Sequence, residues 1–157
     1  MPEITLRPIT DDDLPFLSRL YASTREEELS VVPWPEEQKR AFLEQQFRAQ
    51  HHHYQEHYRE ASFDLLLSDG EPAGRLYVAR WSREIRIVDI ALLPEHRGRG
   101  IGTELLEGLL DEGARSGKPV SIHVEKNNPA LHLYQRLGFR PVEDKGVYLL
   151  MEWRSKH

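Results

Sequence analysis

The pattern of apolar and polar positions predicts a strand and a helix at the start of the chain. Residues 3–8 predict a short strand. Thr10 and the three aspartates after it are typical of a helix N-cap with an acidic first turn. Leucines at positions 14, 17 and 20 then recur at helical spacing. We therefore expect a first helix that ends near Thr24.

A segment interrupted by prolines separates this helix from a second one. Residues 26–35 begin with the acidic run Glu26-Glu27-Glu28 and contain two prolines, which predict a loop. Pro35 is well placed to start the next helix, because proline is tolerated in a first helical turn. We expect this second helix to run to about Tyr58.

The spacing of apolar residues then changes from that of a helix to the alternation typical of strands. Three strands are predicted, joined by tight turns at positions 69–70 and 82–83; they are Phe63–Leu67, Arg75–Trp81 and Ile85–Leu93. A glycine-rich segment follows, and leucines at helical spacing predict a helix over Thr103–Arg115.

Strand and helix signals alternate again in the last third. Val120, Ile122 and Val124 alternate with polar residues and predict a strand, and Asn128-Pro129 supplies the start of a helix that ends at Gly138. Residues 139–142 and 147–153 predict a closing hairpin. The order is strand, two helices, three strands, helix, strand, helix, two strands, which is mixed α/β rather than alternating βαβ.

Composition narrows the class of protein. A chain of 157 residues suits one domain. The net charge of −5, with both signs interspersed, argues against a nucleic-acid partner. The chain has no cysteine, which excludes thiolate metal sites and a thiol nucleophile. No segment approaches the roughly 18 apolar residues of a membrane span, so we expect no membrane association and a cytoplasmic location.

The most informative segment is the glycine-rich turn that precedes the third helix. Gly98, Gly100 and Gly102 leave no Cβ in the way of an approaching anion, and the start of a helix favours negative charge. Arg97 and Arg99 add positive charge. Thr103 occupies the position where a dinucleotide fingerprint needs glycine, and no Gly-Lys pair completes a Walker loop. A diphosphate cradle and a turn without a ligand remain the two interpretations.

Two segments together resemble a known family. Arg97-x-x-Gly100-x-Gly102, after a strand and Pro94, resembles the acyl-CoA signature of the GNAT N-acetyltransferase superfamily. The segment Asn127–Phe139, with its helical tyrosine and Leu-Gly-Phe ending, resembles a later motif of that superfamily. The resemblance implies a mixed α/β (α+β) fold over residues 1–157 as a single GNAT acetyltransferase domain. Its central, mostly antiparallel seven-stranded sheet would be flanked by about four helices.

The resemblance also implies a binding site for acetyl-CoA as co-substrate. The backbone of the cradle would bind the diphosphate, Leu92 and Leu93 would pair with the pantetheine arm as an added strand, and Asn127 would bond to that arm by its side chain. The implied cofactor-binding residues are Leu92, Leu93, Arg97, Gly98, Arg99, Gly100, Gly102, Thr103 and Asn127.

Tyr134 and Asp89 are the candidate catalytic residues. By resemblance, Tyr134 lies beside the thioester sulfur and protonates the leaving thiolate; packing is the other interpretation. Asp89 interrupts an apolar strand, so it either takes the amine proton or forms a structural ion pair with Arg75 or Arg86. His123 is the alternative base, or an ordinary surface histidine.

The second helix contains a histidine cluster, His51-His52-His53 with His57. His53-x-x-Glu56-His57 matches a zinc-protease pattern, whereas a solvated helix face and a wall of the acceptor pocket are the alternatives. Glu26-Glu27-Glu28 and Trp34 lie in the segment that borders the acceptor in similar enzymes. An acidic rim there would suit a polyamine-like or amino-acid-derived substrate. We expect Trp81 and Trp153 to be packing residues.

The expected function is transfer of the acetyl group of acetyl-CoA to a primary amine of a small molecule or peptide. The amine would attack directly in a ternary complex, without a metal and without a covalent enzyme intermediate. The alternatives are a non-catalytic acyl-CoA sensor, O-acyl transfer and a zinc hydrolase. Because similar proteins are often dimers, a homodimer is the expected assembly if the chain does assemble.

Overall fold

The chain forms the predicted succession of strands and helices. The structure is a computed structural model that describes residues 2–156, so Met1 and His157 lie outside it. Within this range no helix is both long enough and apolar enough to span a membrane. The elements are β1 (Ile4–Pro8), α1 (Leu14–Ser30), α2 (Glu36–His57), β2 (Ser62–Ser68), β3 (Glu71–Arg80), β4 (Ile85–Leu92), α3 (Ile101–Ser116), β5 (Val120–Glu125), α4 (Leu131–Arg136), β6 (Arg140–Lys145) and β7 (Tyr148–Trp153).

All seven strands join one sheet in the order β1-β2-β3-β4-β5-β7-β6. The pairs β1–β2, β5–β7 and β6–β7 are antiparallel. β4 and β5 are parallel and pair through Ile85 with Val120, Arg86 with Ser121 and Ile87 with Ile122. β4 continues to Leu92, five residues beyond the last of these pairs. The predicted fold class, mixed α/β with a seven-stranded sheet and four helices, is confirmed.

The chain divides into two compact units, and the first contains α1 and α2. It comprises the residues up to Leu76 together with Ala91–Arg97. Its core is a cluster of side chains from α1, α2 and β2, namely Leu17, Tyr21, Phe47 and Leu65. The rings of Tyr21 and Phe47 lie 6.2 Å apart in a tilted arrangement. This cluster buries the apolar face that the leucine spacing predicted for α1.

The second unit contains α3, α4 and the last three strands. It comprises Tyr77–Ile90 together with the chain from Gly98 onward. Its fully buried side chains include Ile85, Leu106, Val120 and Met151. Gly113 lets α3 approach β5 closely, because a Cβ there would lie 2.9 Å from Cγ2 of Val120.

The first helix is longer than its sequence pattern indicated. The loop predicted from residue 26 was wrong: Glu26-Glu27-Glu28 form part of α1, which ends at Ser30. No glycine or proline interrupts residues 25–30, and Arg25 pairs with Glu28 one turn later at 3.1 Å. The helix ends just before Val32-Pro33, where proline disfavours helical backbone in the residue before it. The acidic run therefore belongs to a helix surface.

One ion pair at the start of α1 predicts how stability depends on pH. The guanidinium of Arg7 donates two hydrogen bonds to the Asp13 carboxylate, at 2.9 and 2.8 Å, and the backbone N–H of Thr10 donates a third at 2.8 Å. The hydrogen bonds from Arg7 hold the pKa of Asp13 below its ordinary value. A depressed folded-state pKa stabilises the fold above the unfolded-state pKa, and this contribution is lost as pH falls through the folded-state pKa.

We therefore expect Asp13→Asn to lower the free energy of unfolding by about 2 kcal/mol at neutral pH. Because protonation removes the same interaction from the native protein, the difference between the two proteins should shrink as the pH falls through the lowered pKa of Asp13. Urea midpoints of both proteins at neutral pH and at a series of acidic pH values measure this. Asp12→Asn, at the exposed neighbouring carboxylate, is the matched control. A difference that persists unchanged at low pH would contradict a role for the Asp13 charge.

Candidate active site

The glycine segment after β4 forms a left-handed turn that leads into α3. Gly98 and Gly100 have φ values of 75° and 83°, which other residues adopt only with strain. Gly100 caps α3, and the N–H of Glu104 donates to its carbonyl oxygen at 3.0 Å. Helix geometry leaves the N–H groups of the three residues before Glu104 without an acceptor in their own helix. They can therefore bind an anion at the positive end of the helix dipole.

The space over this turn is open. In the part of the chain that the structure describes, a Cβ added at Gly98, Gly100 or Gly102 would meet no atom within 4 Å. By contrast, a Cβ at Gly74 would lie 2.1 Å from a backbone oxygen. The glycines of the turn are therefore not required by packing against other parts of the chain. Gly98 and Gly100 are required by their left-handed backbone conformation. For Gly102, neither the backbone nor the packing of the described residues requires glycine.

The last residue of β4 and the residue after it, Leu92 and Leu93, direct their backbone groups to opposite edges of the strand. The N–H of Leu93 donates to the Ala73 carbonyl at 2.8 Å, and the Leu93 carbonyl accepts from the His96 N–H at 2.9 Å. Since backbone groups alternate along a strand, those of Leu92 point to the opposite edge. The Leu92 carbonyl accepts a hydrogen bond from Nε of the exposed Arg97 at 3.0 Å. Of the two residues predicted to pair with pantetheine, Leu92 has the suitable orientation.

Tyr134 is buried on α4. Its side chain is 5% exposed, and its ring packs edge-on against Phe139 with the centroids 5.6 Å apart. Burial raises the pKa of Tyr134 to about 12, and the negative charge of Asp89 adds to the effect. The phenol is therefore neutral at physiological pH and can act as a hydrogen-bond donor. The two predicted catalytic residues lie within electrostatic reach of each other.

Asp89 and His123, the two candidate bases, have different surroundings. Asp89 is half-buried on β4. His123 is half-buried on β5, where burial and the nearby positive charge of Arg86 lower its pKa. Nδ1 of His123 lies 3.5 Å from the Arg86 guanidinium. The lowered pKa keeps the imidazole of His123 in its neutral form, which can accept a proton, so His123 stays a candidate base beside Asp89.

A buried polar cluster beside His123 was not predicted. Ser121 is 1% exposed, accepts a hydrogen bond from Nε of Arg86 at 2.7 Å and donates one to Glu84. The guanidinium carbon of Arg86 lies over the ring of Trp81, 5.2 Å from the centroid of that ring. Alternation along β5 placed Ser121 on the polar face, but this face is also covered. The available signal was the opposite charges of Glu84 and Arg86, which lie two residues apart at the start of β4.

The histidine cluster lies along α2. The rings of His53 and His57 stack on each other with their centroids 4.0 Å apart, and a carboxylate oxygen of Glu56 lies 3.3 Å from Nε2 of His52. Among residues 2–156 no group of three or more histidine, aspartate or glutamate side chains could hold a metal ion. His51 stacks on the core residue Phe47, with the ring centroids 5.7 Å apart.

The other residues singled out by sequence lie in several places. Trp34 packs edge-on against Phe42 at 5.4 Å, after the end of α1. Trp153 packs over Gly138, and a Cβ there would lie 3.1 Å from its ring. Asn127 is exposed in the turn after β5, as are Arg97 and Arg99 in theirs. Asn128, next to Asn127, accepts a hydrogen bond from the Ala130 N–H at 2.9 Å and so shapes the start of α4.

Two clefts lie along α1 in the first unit. One, of about 620 Å³, is lined by α1 and α2. The other, of about 460 Å³, is lined by α1 and by the residues that follow β4. Of the acidic run, Glu26 lines both clefts, whereas Glu27 and Glu28 line neither. Sequence reasoning missed their other lining side chains, because charged residues on a helix face are usually only solvated.

A solved structure shares the fold over nearly the whole chain. The PaiA N-acetyltransferase from Thermoplasma acidophilum, solved in complex with coenzyme A, matches with a TM-score of 0.73 at 16% sequence identity. The match covers 98% of this chain and 99% of that one. At this identity the likeness establishes the fold.

Curated relatives match over shorter segments. Streptothricin acetyltransferase of Streptomyces lavendulae is 36% identical over 83 residues, which are 50% of this chain and 43% of that protein. The L-amino acid N-acyltransferase MnaT of Escherichia coli is 48% identical over 48 residues, which are 29% of this chain and 28% of that protein. The matched segments thus span less than half the length of these relatives. The model of the Acetyltransferase (GNAT) family matches residues 17–139, which is most of the chain, and the protein therefore belongs to the GNAT acetyltransferase family.

Proposed function

We propose that this protein transfers the acetyl group of acetyl-CoA to a primary amine of a small molecule or peptide. The observation that carries the proposal is the left-handed turn at Gly98 and Gly100, with open space above it and the start of α3 behind it. Membership of the GNAT acetyltransferase family and the names of its relatives support the same reaction. The predicted single domain and cytoplasmic location stay predictions.

In this proposal the turn and β4 together bind acetyl-CoA. N–H groups of the turn and of the first turn of α3 bind the diphosphate, and Arg97 and Arg99 supply positive charge beside it. Leu92 pairs with the pantetheine arm, because its backbone groups face away from β3. Leu93 orients β4 through its own bonds to Ala73 and His96. Asn127 reaches the same arm by its side chain, as the family resemblance implies.

The reaction then needs one group that accepts the proton of the amine and one that stabilises the leaving thiolate. The amine nitrogen attacks the thioester carbonyl carbon; the new N–C bond forms and the C–S bond breaks, with the electron pair on sulfur. Asp89 accepts the amine proton, directly or through one water molecule. Tyr134 donates a hydrogen bond to the departing sulfur. Because its pKa is raised to about 12, its main contribution is stabilisation of the thiolate by a neutral donor.

A non-catalytic acyl-CoA sensor is the alternative that shares the same binding site. It would bind acetyl-CoA but release no CoA with any amine. The raised pKa of Tyr134, to which burial and the charge of Asp89 contribute, favours the enzyme, because titratable groups with a perturbed pKa are typical of active sites. The small-molecule class among the relatives, represented by streptothricin and L-amino acids, is the first acceptor class to screen.

The binding site is tested by Gly102→Val. Gly102 has open space around it and no positive φ, so the side chain should not destabilise the fold but should block the diphosphate from the helix N-terminus. We expect the Kd for acetyl-CoA, measured by calorimetry, to rise at least about 30-fold, which corresponds to roughly 2 kcal/mol.

Gly108→Val is the matched control, because Gly108 lies in the same helix with the same open space. It should bind acetyl-CoA as the native protein does. Both variants should unfold at native-like urea concentrations. If Gly102→Val binds acetyl-CoA normally, or if the native protein binds none, the proposed cradle is wrong.

A further inference from the structure

The two clefts along α1 share one part of their wall. Arg19, Ala22 and Glu26 line both of them. These residues are spaced by three and four positions, so they form one stripe along the helix. Ala22 lies between two long charged side chains and is the small residue at the point that the clefts share. A molecule lying along this stripe would contact both clefts.

The second cleft borders the end of β4. Leu93 and Pro94 line it, and Leu92, the residue proposed to pair with pantetheine, immediately precedes them. An acceptor amine placed in this cleft would therefore lie beside the end of β4, with which the pantetheine arm is proposed to pair. Glu26 and Glu95 also line this cleft and provide carboxylates for an ammonium group.

The first cleft is lined by cationic side chains as well as by carboxylates. Lys39 and Arg40 from α2 line it together with Arg19. The Lys39 side chain is 16% exposed, and it lies 3.9 Å from the carboxylate of Glu36, whose side chain is 87% exposed. An ion pair with so exposed a carboxylate is weak, so Lys39 remains able to bind another anion. The guanidinium of Arg19 lies 5.3 Å from the ring centroid of Phe16, which restricts its position.

We propose that the acceptor is a zwitterion, an amino acid or short peptide whose amine lies near Glu26 and whose carboxylate contacts Arg19 and Lys39. This inference rests on the proposed acetyltransferase function and names the substrate class of that site. Charges of both signs along one cleft complement a molecule that carries both. A polyamine would leave the three cations of the first cleft without a partner, whereas a zwitterion has a group for these cations and another for the carboxylates that line the same cleft, Glu26, Glu36 and Glu44.

The first test compares acceptors that differ in one charge. Release of CoA is followed with the twenty standard amino acids and a set of dipeptides, and each substrate found is compared with its carboxamide and with a polyamine. We expect kcat/KM to fall at least about tenfold when the carboxylate becomes a neutral amide. The ratio of the rates with amino acids and with dipeptides shows which of these two types of zwitterion the enzyme prefers.

The second test assigns the two charges to residues. Arg19→Gln should raise KM for the carboxylate acceptor about tenfold and leave KM for its carboxamide nearly unchanged. Glu26→Gln should raise KM for both, because both carry the amine. Arg48→Gln and Glu27→Gln are the matched controls, since these exposed residues of α2 and α1 line neither cleft. Ala22→Leu should block every acceptor without changing the Kd for acetyl-CoA.

Calorimetry with acetyl-CoA separates failure of this inference from failure of the proposed function. If acetyl-CoA does not bind, the proposed function fails and the acceptor assignment fails with it. If acetyl-CoA binds, the zwitterion assignment is wrong in either of two cases: no amino acid or dipeptide releases CoA, or the carboxamide or polyamine reacts equally well. Selective acetylation of the carboxylate form, lost in Arg19→Gln, would support it.

Discussion

Tyr134→Phe is expected to lower kcat about 100-fold while leaving the Kd for acetyl-CoA unchanged. The phenylalanine ring keeps the packing against Phe139, so the variant removes only the hydroxyl. Removal of one hydrogen-bond donor to a developing anion lowers kcat by about 10² to 10³ in other enzymes. A pKa of about 12 keeps Tyr134 a neutral donor and a poor proton donor, so the low end of that range applies. Initial rates of CoA release and calorimetry with acetyl-CoA measure the two quantities.

The pH profile adds a second criterion to this prediction. With a pKa of about 12, Tyr134 should stay protonated throughout the pH range in which the enzyme is stable, so kcat should show no alkaline decline from this group. Tyr148→Phe, at an exposed tyrosine of β7, is the matched control and should keep native kcat. A kcat for Tyr134→Phe within about twofold of native would remove Tyr134 from the mechanism.

Helices and strands with strong periodicity were predictable from sequence, and their ends depended on local signals. β5 matches its predicted range, because three buried branched residues alternate there with Ser121, His123 and Glu125. The turn at Asp69-Gly70 was also predictable, since both residues have positive φ, at 50° and 82°, as that type of tight hairpin requires. The end of α1 was not predictable, because an acidic run without glycine or proline is compatible with both a helix and a loop.

The candidate site was predictable where it depends on backbone conformation. The left-handed φ of Gly98 and Gly100 follows from residue type, since glycine adopts such values without strain. The distinct roles of Leu92 and Leu93 depend on which edge of β4 each faces, and a sequence does not give the register with β3. The clefts beside Arg19 and Lys39 depend on the packing of α1 against α2. Charged residues at helical spacing predict a solvated face and a binding cleft equally well.

Gly74→Ala is expected to destabilise the fold by at least about 3 kcal/mol. A Cβ at Gly74 would lie 2.1 Å from the carbonyl oxygen of Ala91 and 3.1 Å from Cα of Leu92. These are backbone atoms, so no change of rotamer relieves the clash, and β3 or β4 must move. Such a loss is a large part of the roughly 5–15 kcal/mol that stabilises a typical domain. Urea unfolding followed by circular dichroism measures it.

The same substitution connects the fold to the proposed site, because one of the atoms that the new Cβ would approach belongs to Leu92. A Gly74→Ala protein that remains folded should bind acetyl-CoA more weakly than the native protein, since the clash lies at Leu92, the proposed pantetheine partner. Gly108→Ala, the same change at a position with open space, should be neutral or slightly stabilising and should bind normally. If Gly74→Ala has native stability and native affinity, the close approach of β3 to Ala91 is not required, and the assignment of Leu92 to the pantetheine arm loses its structural support.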